Sequence, residues 1–166
     1  FSPNADGSAK LDHEIEKYNG ATGEVVMWVR LPTLSYSADT VMYLCFGNAS
    51  ITTSQENVSA VWDSNFKAVW HLNDLTTSTV KDSTVTAAME PKPAPANRGD
   101  SLKIGAGQNC DGVNDFINCG NIITAFSAFT FDCWINIDSF THGSYMGPFC
   151  QAASTYPNSY MNYAFY

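Results

Sequence analysis

Three carboxylates alternate with other residues along one short segment near the beginning of the sequence. A strand over residues 10–17 would place Asp12, Glu14 and Glu16 on one face. Side chains two positions apart on a strand are about 6.6–7 Å apart at the backbone, and a retaining glycosidase needs two carboxyl groups about 5–5.5 Å apart, so the segment could serve glycoside hydrolysis. The simpler interpretation, which we prefer, is an acidic face in solvent above an apolar inner face. That inner face would consist of Leu11, His13 and Ile15.

Oxygen-bearing side chains surround a glycine in the segment 109–115, which reads NCDGVND. Calcium is bound by carboxylate, amide and backbone carbonyl oxygens at about 2.3–2.6 Å. We therefore predict a calcium site formed by Asp111, Asn114 and Asp115. The same residue types also suit an ordinary turn without a metal, and that alternative stays open.

The last part of the chain is rich in tyrosine and asparagine. Carbohydrate sites combine an aromatic face with amides or carboxylates at its rim. The loop near 152–158 lies between two predicted strands, so we predict carbohydrate contacts from Tyr156, Asn158 and Tyr160. The alternative is that these tyrosines line the edge or the core of a sandwich. The tryptophans lie in or beside apolar segments and are interpreted as packing residues: Trp28, Trp62, Trp70 and Trp134.

Composition and charge exclude several classes of function. The 166 residues carry a net charge of -8 at pH 7, and an acidic surface repels nucleic-acid phosphate and anionic lipid. No apolar run approaches the roughly 18 residues that a membrane-spanning helix needs. The nucleotide-binding glycine patterns and the G-x-S-x-G elbow of hydrolases are also missing from the sequence. We therefore predict no nucleic-acid partner, no membrane insertion and no enzymatic activity.

The five cysteines are irregularly spaced and form no Cys-x-x-Cys pair. Their number is odd, so at least one has no partner within the chain. Most lie among apolar residues, as Cys45 does in YLCF and Cys133 in DCWI. We predict free, buried thiols that act as small hydrophobic side chains. A disulfide framework is the alternative.

Period-two alternation dominates the sequence, and no stretch of ten residues has helical apolar periodicity. Residues 10–17 and 24–31 predict two strands around a turn at 18–23 that contains Asn-Gly. Residues 40–46 are apolar on both faces and predict a central strand, and 128–138 are the most regular strand pattern. These patterns predict an all-β fold, an antiparallel β-sandwich or jelly roll. The chain begins with Phe and ends within a strand pattern, so we expect a piece of a longer protein, truncated at both ends.

Short motifs spread through residues 5–63 match a known family in their order and spacing. They are DG at 6–7, LDHEIE at 11–16, WVRLP at 28–32, DTVMYL at 39–44, FGN at 46–48 and VWD at 61–63. On these motifs the segment resembles the C-terminal part of a bacterial domain of unknown function, family 2341. The chain has CFGN at 45–48, where the family usually has YYGN. This resemblance implies no activity, because none is assigned to that family.

A second set of motifs lies in residues 66–166. They are AVWHL at 68–72, DST at 82–84, KIGA at 103–106, DGVNDFI at 111–117 and FTFDCWI at 129–135. This part resembles the beginning of a laminin-G-like, concanavalin A-like jelly roll. The resemblance implies a fold that mostly binds carbohydrate or protein, often with calcium, and that some glycoside hydrolases share. Fold alone does not choose among these activities.

Together these observations predict two partial domains, a β-sandwich of unknown function at 1–65 and a jelly roll at 66–166. We expect a non-catalytic, extracellular binding or adhesion module in a larger bacterial surface or envelope protein. Its expected ligand is a carbohydrate or cell-surface glycan, with calcium as the expected cofactor. The alternatives are a structural spacer without a ligand and, third, a glycoside hydrolase that uses the carboxylates at 12–16.

Overall fold

The structure is a computed structural model that describes ten stretches of the chain. They are residues 1–74, 80–84, 90–91, 97–99, 103–110, 117–118, 122, 127–137, 149–152 and 161–164. The elements in chain order are β1 (His13–Asn19), β2 (Glu24–Val29), α1 (Val58–Val61), β3 (Glu90–Pro91), β4 (Asn97–Gly99), β5 (Gly107–Asn109), β6 (Ile117–Asn118), β7 (Cys150–Ala152) and β8 (Met161–Ala164). Strands outnumber the single four-residue helix of the described residues, so the prediction of a β-rich chain is confirmed.

The described strands pair as four two-stranded antiparallel ladders, β1 with β2, β3 with β6, β4 with β5, and β7 with β8. The longest ladder is the β1–β2 hairpin, in which His13 pairs with Val29 and Asn19 with Glu24. The register shifts between Ile15 and Lys17. Glu16 is therefore the extra residue of a β-bulge, a feature that redirects side chains.

The turn between β1 and β2 is held by its own side chains. The Asn19 carboxamide oxygen accepts hydrogen bonds from the backbone N–H groups of Ala21 and Thr22, at 3.0 and 3.3 Å. Gly23 has a φ of 74°, a backbone conformation that glycine adopts without steric cost. The predicted strand–turn–strand is thus present, although β1 begins and ends later than the predicted 10–17.

The other edge of β1 is covered by the chain that precedes α1. The backbone N–H of Ile15 donates to the Glu56 carboxylate at 2.7 Å, and the N–H of Asn57 donates to the carbonyl of His13 at 3.0 Å. The Asn57 side chain also donates to Asp12 at 2.7 Å. β1 therefore lies between β2 on one edge and residues 56–57 on the other.

Two predicted strands are not part of any ladder among the described residues. The segment 40–46, predicted as central, forms a single bridge in which Ser2 and Tyr43 exchange two backbone hydrogen bonds of 2.9 and 2.8 Å. Its apolar side chains are exposed on both faces. Residues 127–137 likewise lie outside the described ladders, and Ile135 and Ile137 are exposed. Apolar composition alone misplaced both segments, because ladders also require a neighbouring backbone.

The described core is small and lies around β1. Its buried apolar residues are Leu11, Val61, Val80 and Ala106, and the buried polar residues include His13 and Glu14. No helix in the described part of the chain is long and apolar enough to cross a membrane.

The prediction of buried thiols is wrong for the described cysteines whose exposure is defined. Cys45, Cys110 and Cys133 are exposed, and Cys45 and Cys133 are free as predicted. The segments that carry Cys45 and Cys133 lie outside the described ladders, so no neighbouring strand covers these two side chains. Partial burial and the neighbouring Asp132 charge raise the pKa of the Cys133 thiol.

Candidate functional site

Glu14 and Glu16 point into the protein. Their side chains are only 4% and 2% exposed, whereas the side chain of Ile15 between them is exposed. The predicted acidic face in solvent is therefore wrong for Glu14 and Glu16. Of the predicted inner face, Leu11 and His13 are buried as expected, whereas Ile15 is exposed. Hydrogen bonds donated by indole N–H groups offset part of the free-energy cost of burying these carboxylates. Trp62 Nε1 donates to Glu14 Oε2 at 2.9 Å, and Trp28 Nε1 donates to Glu16 Oε2 at 2.6 Å.

His71 lies between the two carboxylates. Its Nε2 is 3.1 Å from Glu14 Oε2 and its Nδ1 is 3.3 Å from Glu16 Oε2, and its side chain is 11% exposed. The Nε2 contact lies off the hydrogen-bond direction, so it acts through charge rather than as a directed bond. The ring stacks on Trp28 with centroids 5.8 Å apart and lies 6.0 Å from Trp62. Contacts of both ring nitrogens with carboxylates suit the imidazolium, the form that carries two N–H groups.

The second oxygen of Glu14 faces the segment 80–84. Ser83 Oγ donates to Glu14 Oε1 at 2.6 Å, and Lys81 Nζ lies 3.9 Å from the same oxygen. Ser83 is fixed by its own backbone N–H, which donates to the carbonyl of Val69 at 2.9 Å. Asp82 Oδ1 accepts the N–H of Val69 at 3.0 Å in return. Residues 69–71 and 82–83 therefore run side by side and bring His71 and Ser83 to β1 together.

A glycine from further along the chain lies against Glu16. A Cβ atom at Gly105 would be 2.8 Å from Glu16 Oε1, and the φ of Gly105 is 58°. Two amide side chains connect the chain after His71 to its neighbours. Asn73 Nδ2 donates to the Glu16 carbonyl at 3.1 Å, and Gln108 Nε2 donates to the Leu72 carbonyl at 2.9 Å. Residues 103–108 thus lie against Glu16 of the hairpin at Gly105 and bond to Leu72 through Gln108.

We call Glu14, Glu16, His71, Trp28, Trp62 and Ser83 the Glu–His–Glu cluster. Burial alone would raise the pKa of Glu14, but hydrogen bonds from Ser83 and Trp62, together with the close contact with His71, outweigh it. The pKa of Glu14 is consequently lower than that of an ordinary glutamate. Glu14 is therefore held as a carboxylate by its donors.

This shift predicts a loss of stability in acid. A carboxyl whose pKa is lowered by folding stabilises the protein above its unfolded pKa, about 4.3 for glutamate, and that contribution is lost as the pH falls through the folded value. We expect the difference in urea midpoint between the wild type and Glu14→Gln to shrink as the pH falls from about 6 to about 3. Glu56→Gln, at a half-buried carboxylate beside β1, is the control. A difference for Glu14→Gln that stays constant across this range would contradict the assignment.

The reactions that the cluster could perform depend on which carboxylate oxygens already accept hydrogen bonds from the protein. A glycosidase needs one carboxyl to protonate the leaving group and a second to reach the sugar carbon or its water. Here both oxygens of Glu14 accept protein donors. Glu16 uses Oε2 for Trp28 and His71, and its Oε1 lies against Gly105. Within the described ranges, no group of three or more His, Cys, Asp or Glu residues is arranged to hold a metal ion. Three of the four carboxylate oxygens of Glu14 and Glu16 are therefore engaged by donors within the protein, and the fourth lies against Gly105.

A separate feature of the described surface is the indole of Trp134. It is 69% exposed, and Lys103 Nζ lies 5.3 Å from the ring centroid. Asp132, two positions away, is also exposed. The interpretation of Trp134 as a packing residue is wrong, because the segment that carries it has no covering strand among the described residues. The other three tryptophans are partly buried, as that interpretation required.

The residues predicted for calcium and for carbohydrate lie outside the described part of the chain. They are Asp111, Asn114 and Asp115 for the metal, and Tyr156, Asn158 and Tyr160 for the sugar. The sequence reasoning missed the roles of His71, Ser83 and Gly105. Only His71 gave a signal, as a lone histidine beside Trp70 in an apolar segment, and nothing in its spacing pointed to β1.

Comparison with known families gives one match. The model of a family described as Domain of unknown function (DUF2341) matches residues 2–85, which is 84 of 166 residues. The match includes Glu14, Glu16, His71 and Ser83 but ends before Gly105. The predicted division between 1–65 and 66–166 falls inside the matched range. No curated protein and no solved structure matches the chain significantly.

Proposed function

The chain belongs to the family of unknown function DUF2341, and from that premise we propose that it is a non-catalytic, extracellular module for binding or adhesion whose ligand is a carbohydrate. The observation that carries this proposal is the exposed indole of Trp134. Most of a tryptophan's surface is apolar, so a ring left in water is a favourable place for an apolar ligand face.

The surroundings of Trp134 suit a sugar. The C–H face of a pyranose packs on an indole, and its hydroxyl groups need donors and acceptors at the rim of that ring. Lys103 supplies an ammonium donor 5.3 Å from the ring centroid, and the exposed Asp132 supplies a carboxylate acceptor. A neutral sugar uses both groups, and it meets no repulsion from the net charge of -8.

The finer features of this proposal rest on the sequence motifs. We propose that the strands form an antiparallel β-sandwich whose second part is a laminin-G-like jelly roll, in a larger bacterial surface or envelope protein. The turn with Asp111, Asn114 and Asp115 would hold calcium, and Tyr156, Asn158 and Tyr160 would extend the sugar site. The antiparallel pairing of every described ladder supports this architecture.

The proposal is tested by glycan-array binding, with calcium and with chelator, followed by titration of the best glycan. We expect Trp134→Ala to weaken binding at least tenfold, about 1.4 kcal/mol, because the stacking surface is removed. Tyr36→Ala is the matched control, since Tyr36 is a fully exposed aromatic residue of the first part.

Two outcomes would count against the proposal in different ways. A folded wild-type chain that binds no glycan in either condition would refute carbohydrate binding. Selective binding that Trp134→Ala and Tyr36→Ala leave equally intact would place the site elsewhere than at Trp134.

A structural spacer is the second candidate, and the Glu–His–Glu cluster favours it. The cluster joins β1 to residues 71–83 and lies against Gly105, as a rigid connection between successive parts of a chain requires. The same glycan array separates the two candidates, because a spacer binds nothing while remaining folded.

A further inference from the structure

We propose that the Glu–His–Glu cluster is a proton-dependent latch that holds the family region, residues 2–85, against residues 103–108. Protonated His71 closes the latch, and neutral His71 loosens it. This inference concerns the connection within the chain and does not depend on sugar binding.

The first step is connectivity. The imidazole of His71 is the one group of the cluster that contacts both carboxylates, at 3.1 and 3.3 Å. Glu14 continues the network to Ser83, and Glu16 continues it to the backbone of Gly105. A change at the imidazole therefore reaches both the 80–84 segment and the 103–108 segment through the glutamates.

The second step is the charge around His71. β1 presents the carboxylates of Glu14 and Glu16, while β2 and the chain after α1 present uncharged Trp28 and Trp62. The 80–84 segment presents Lys81, whose largely exposed ammonium lies 3.9 Å from Glu14. Two further charged residues lie in the segments 80–84 and 103–108, but their charged groups contact other residues. Asp82 accepts from Val69 and Thr84, and Lys103 lies over Trp134.

The third step compares the two protonation states of the ring. An imidazolium places one positive charge between two buried negative charges and offers an N–H to each. A neutral ring offers one N–H and turns a lone pair toward the other carboxylate. Among the described residues, Lys81 is then the one counter-charge near the two buried carboxylates, and its side chain is largely exposed. Breaking one side of a buried ion pair is strongly destabilising. We expect the contact between Gly105 and the Glu16 side chain to be lost first, because it consists of packing alone.

The latch is tested by amide hydrogen exchange of residues 103–110 at pH 6 and pH 8.5, corrected for the intrinsic rate of exchange. In the wild type we expect protection of this segment to fall at least tenfold between the two pH values. His71→Gln, which keeps a polar side chain and cannot be charged, should show low protection at both. His13→Gln is the matched control, because His13 is a buried histidine of the same hairpin whose ring faces the Leu11 carbonyl and Phe1 instead of a carboxylate.

A second readout uses the indoles. Contact with an imidazolium quenches tryptophan emission, so we expect the emission of the wild type to rise between pH 6 and 8.5. The rise should be absent in His71→Gln and retained in His13→Gln.

Glu16→Gln keeps the test decisive if His71→Gln does not fold. The amide oxygen introduced by this substitution can still accept from Trp28, but the side chain carries no charge, so the pH dependence of protection and emission should shrink. A wild-type segment 103–110 whose protection is the same at both pH values would overturn the latch. An undiminished pH response in either His71→Gln or Glu16→Gln would overturn it as well.

Discussion

Replacing Glu14 with alanine is expected to lower the free energy of unfolding by about 3–5 kcal/mol. The substitution removes the acceptor for Ser83 Oγ and Trp62 Nε1 and one of the two charges that face His71. Those donors would remain in an interior where water does not replace the carboxylate, and an unsatisfied buried donor costs about 1–3 kcal/mol on its own. Urea unfolding at pH 7, followed by tryptophan emission, measures the loss.

Two matched variants separate the network from the loss of side-chain volume. Glu14→Gln keeps the shape and one acceptor oxygen, so its loss should be smaller than that of Glu14→Ala. Glu56→Ala removes a half-buried carboxylate that also bonds β1, through the N–H of Ile15, and should cost about 1 kcal/mol. Equal losses for Glu14→Ala and Glu56→Ala would show that the buried network contributes no more than a surface contact.

Gly105→Ala is expected to destabilise the protein by about 2–4 kcal/mol, from two separate causes. The φ of 58° is unfavourable for a residue with a side chain, and the added Cβ would lie 2.8 Å from Glu16 Oε1. The carboxylate cannot retreat freely, because Trp28 and His71 hold its other oxygen. Urea unfolding of the variant at pH 7 measures the loss.

Gly23→Ala distinguishes the two causes. Gly23 has a similar φ of 74°, but a Cβ there meets nothing within 4 Å, so only the backbone term of about 1–2 kcal/mol applies. The excess of Gly105→Ala over Gly23→Ala measures the close approach to Glu16. If the two variants lose the same stability, residues 103–108 do not pack on the carboxylate.

The β1–β2 hairpin shows what alternation in a sequence determines and what it leaves open. The period of two and the Asn-Gly pair were sufficient to predict two strands and the turn between them. They also placed Glu14 and Glu16 on one face, and the structure agrees. Alternation says which residues share a face but not how deeply each face is buried, and here Leu11 and His13 on one face and Glu14 on the other are all buried. That choice was made by donors distant in sequence, such as Trp62 and Ser83, 48 and 69 residues from Glu14.

The same limit explains the segments 40–46 and 128–138. Each pattern predicted a strand, but the described residues of both segments lie outside the ladders. A position within a sheet depends on a partner strand that no local pattern encodes. Trp134 was assigned to packing for that reason, although its ring is exposed. The β-rich class could be predicted because it follows from local periodicity, whereas the Glu–His–Glu cluster could not, because its members meet only after folding.

The hydrogen bond between Ser83 and Glu14 closes a loop of 69 residues, and this has a mechanical consequence. If the two ends of the chain are pulled apart, the force acts first on this hydrogen bond and on the other contacts of the Glu–His–Glu cluster. While the cluster is intact, the loop that it closes bears no force. Its rupture would release about 230–250 Å of extended polypeptide, at about 3.3–3.6 Å per residue. Rupture of the cluster would therefore lengthen the polypeptide in one step and lower the tension along it.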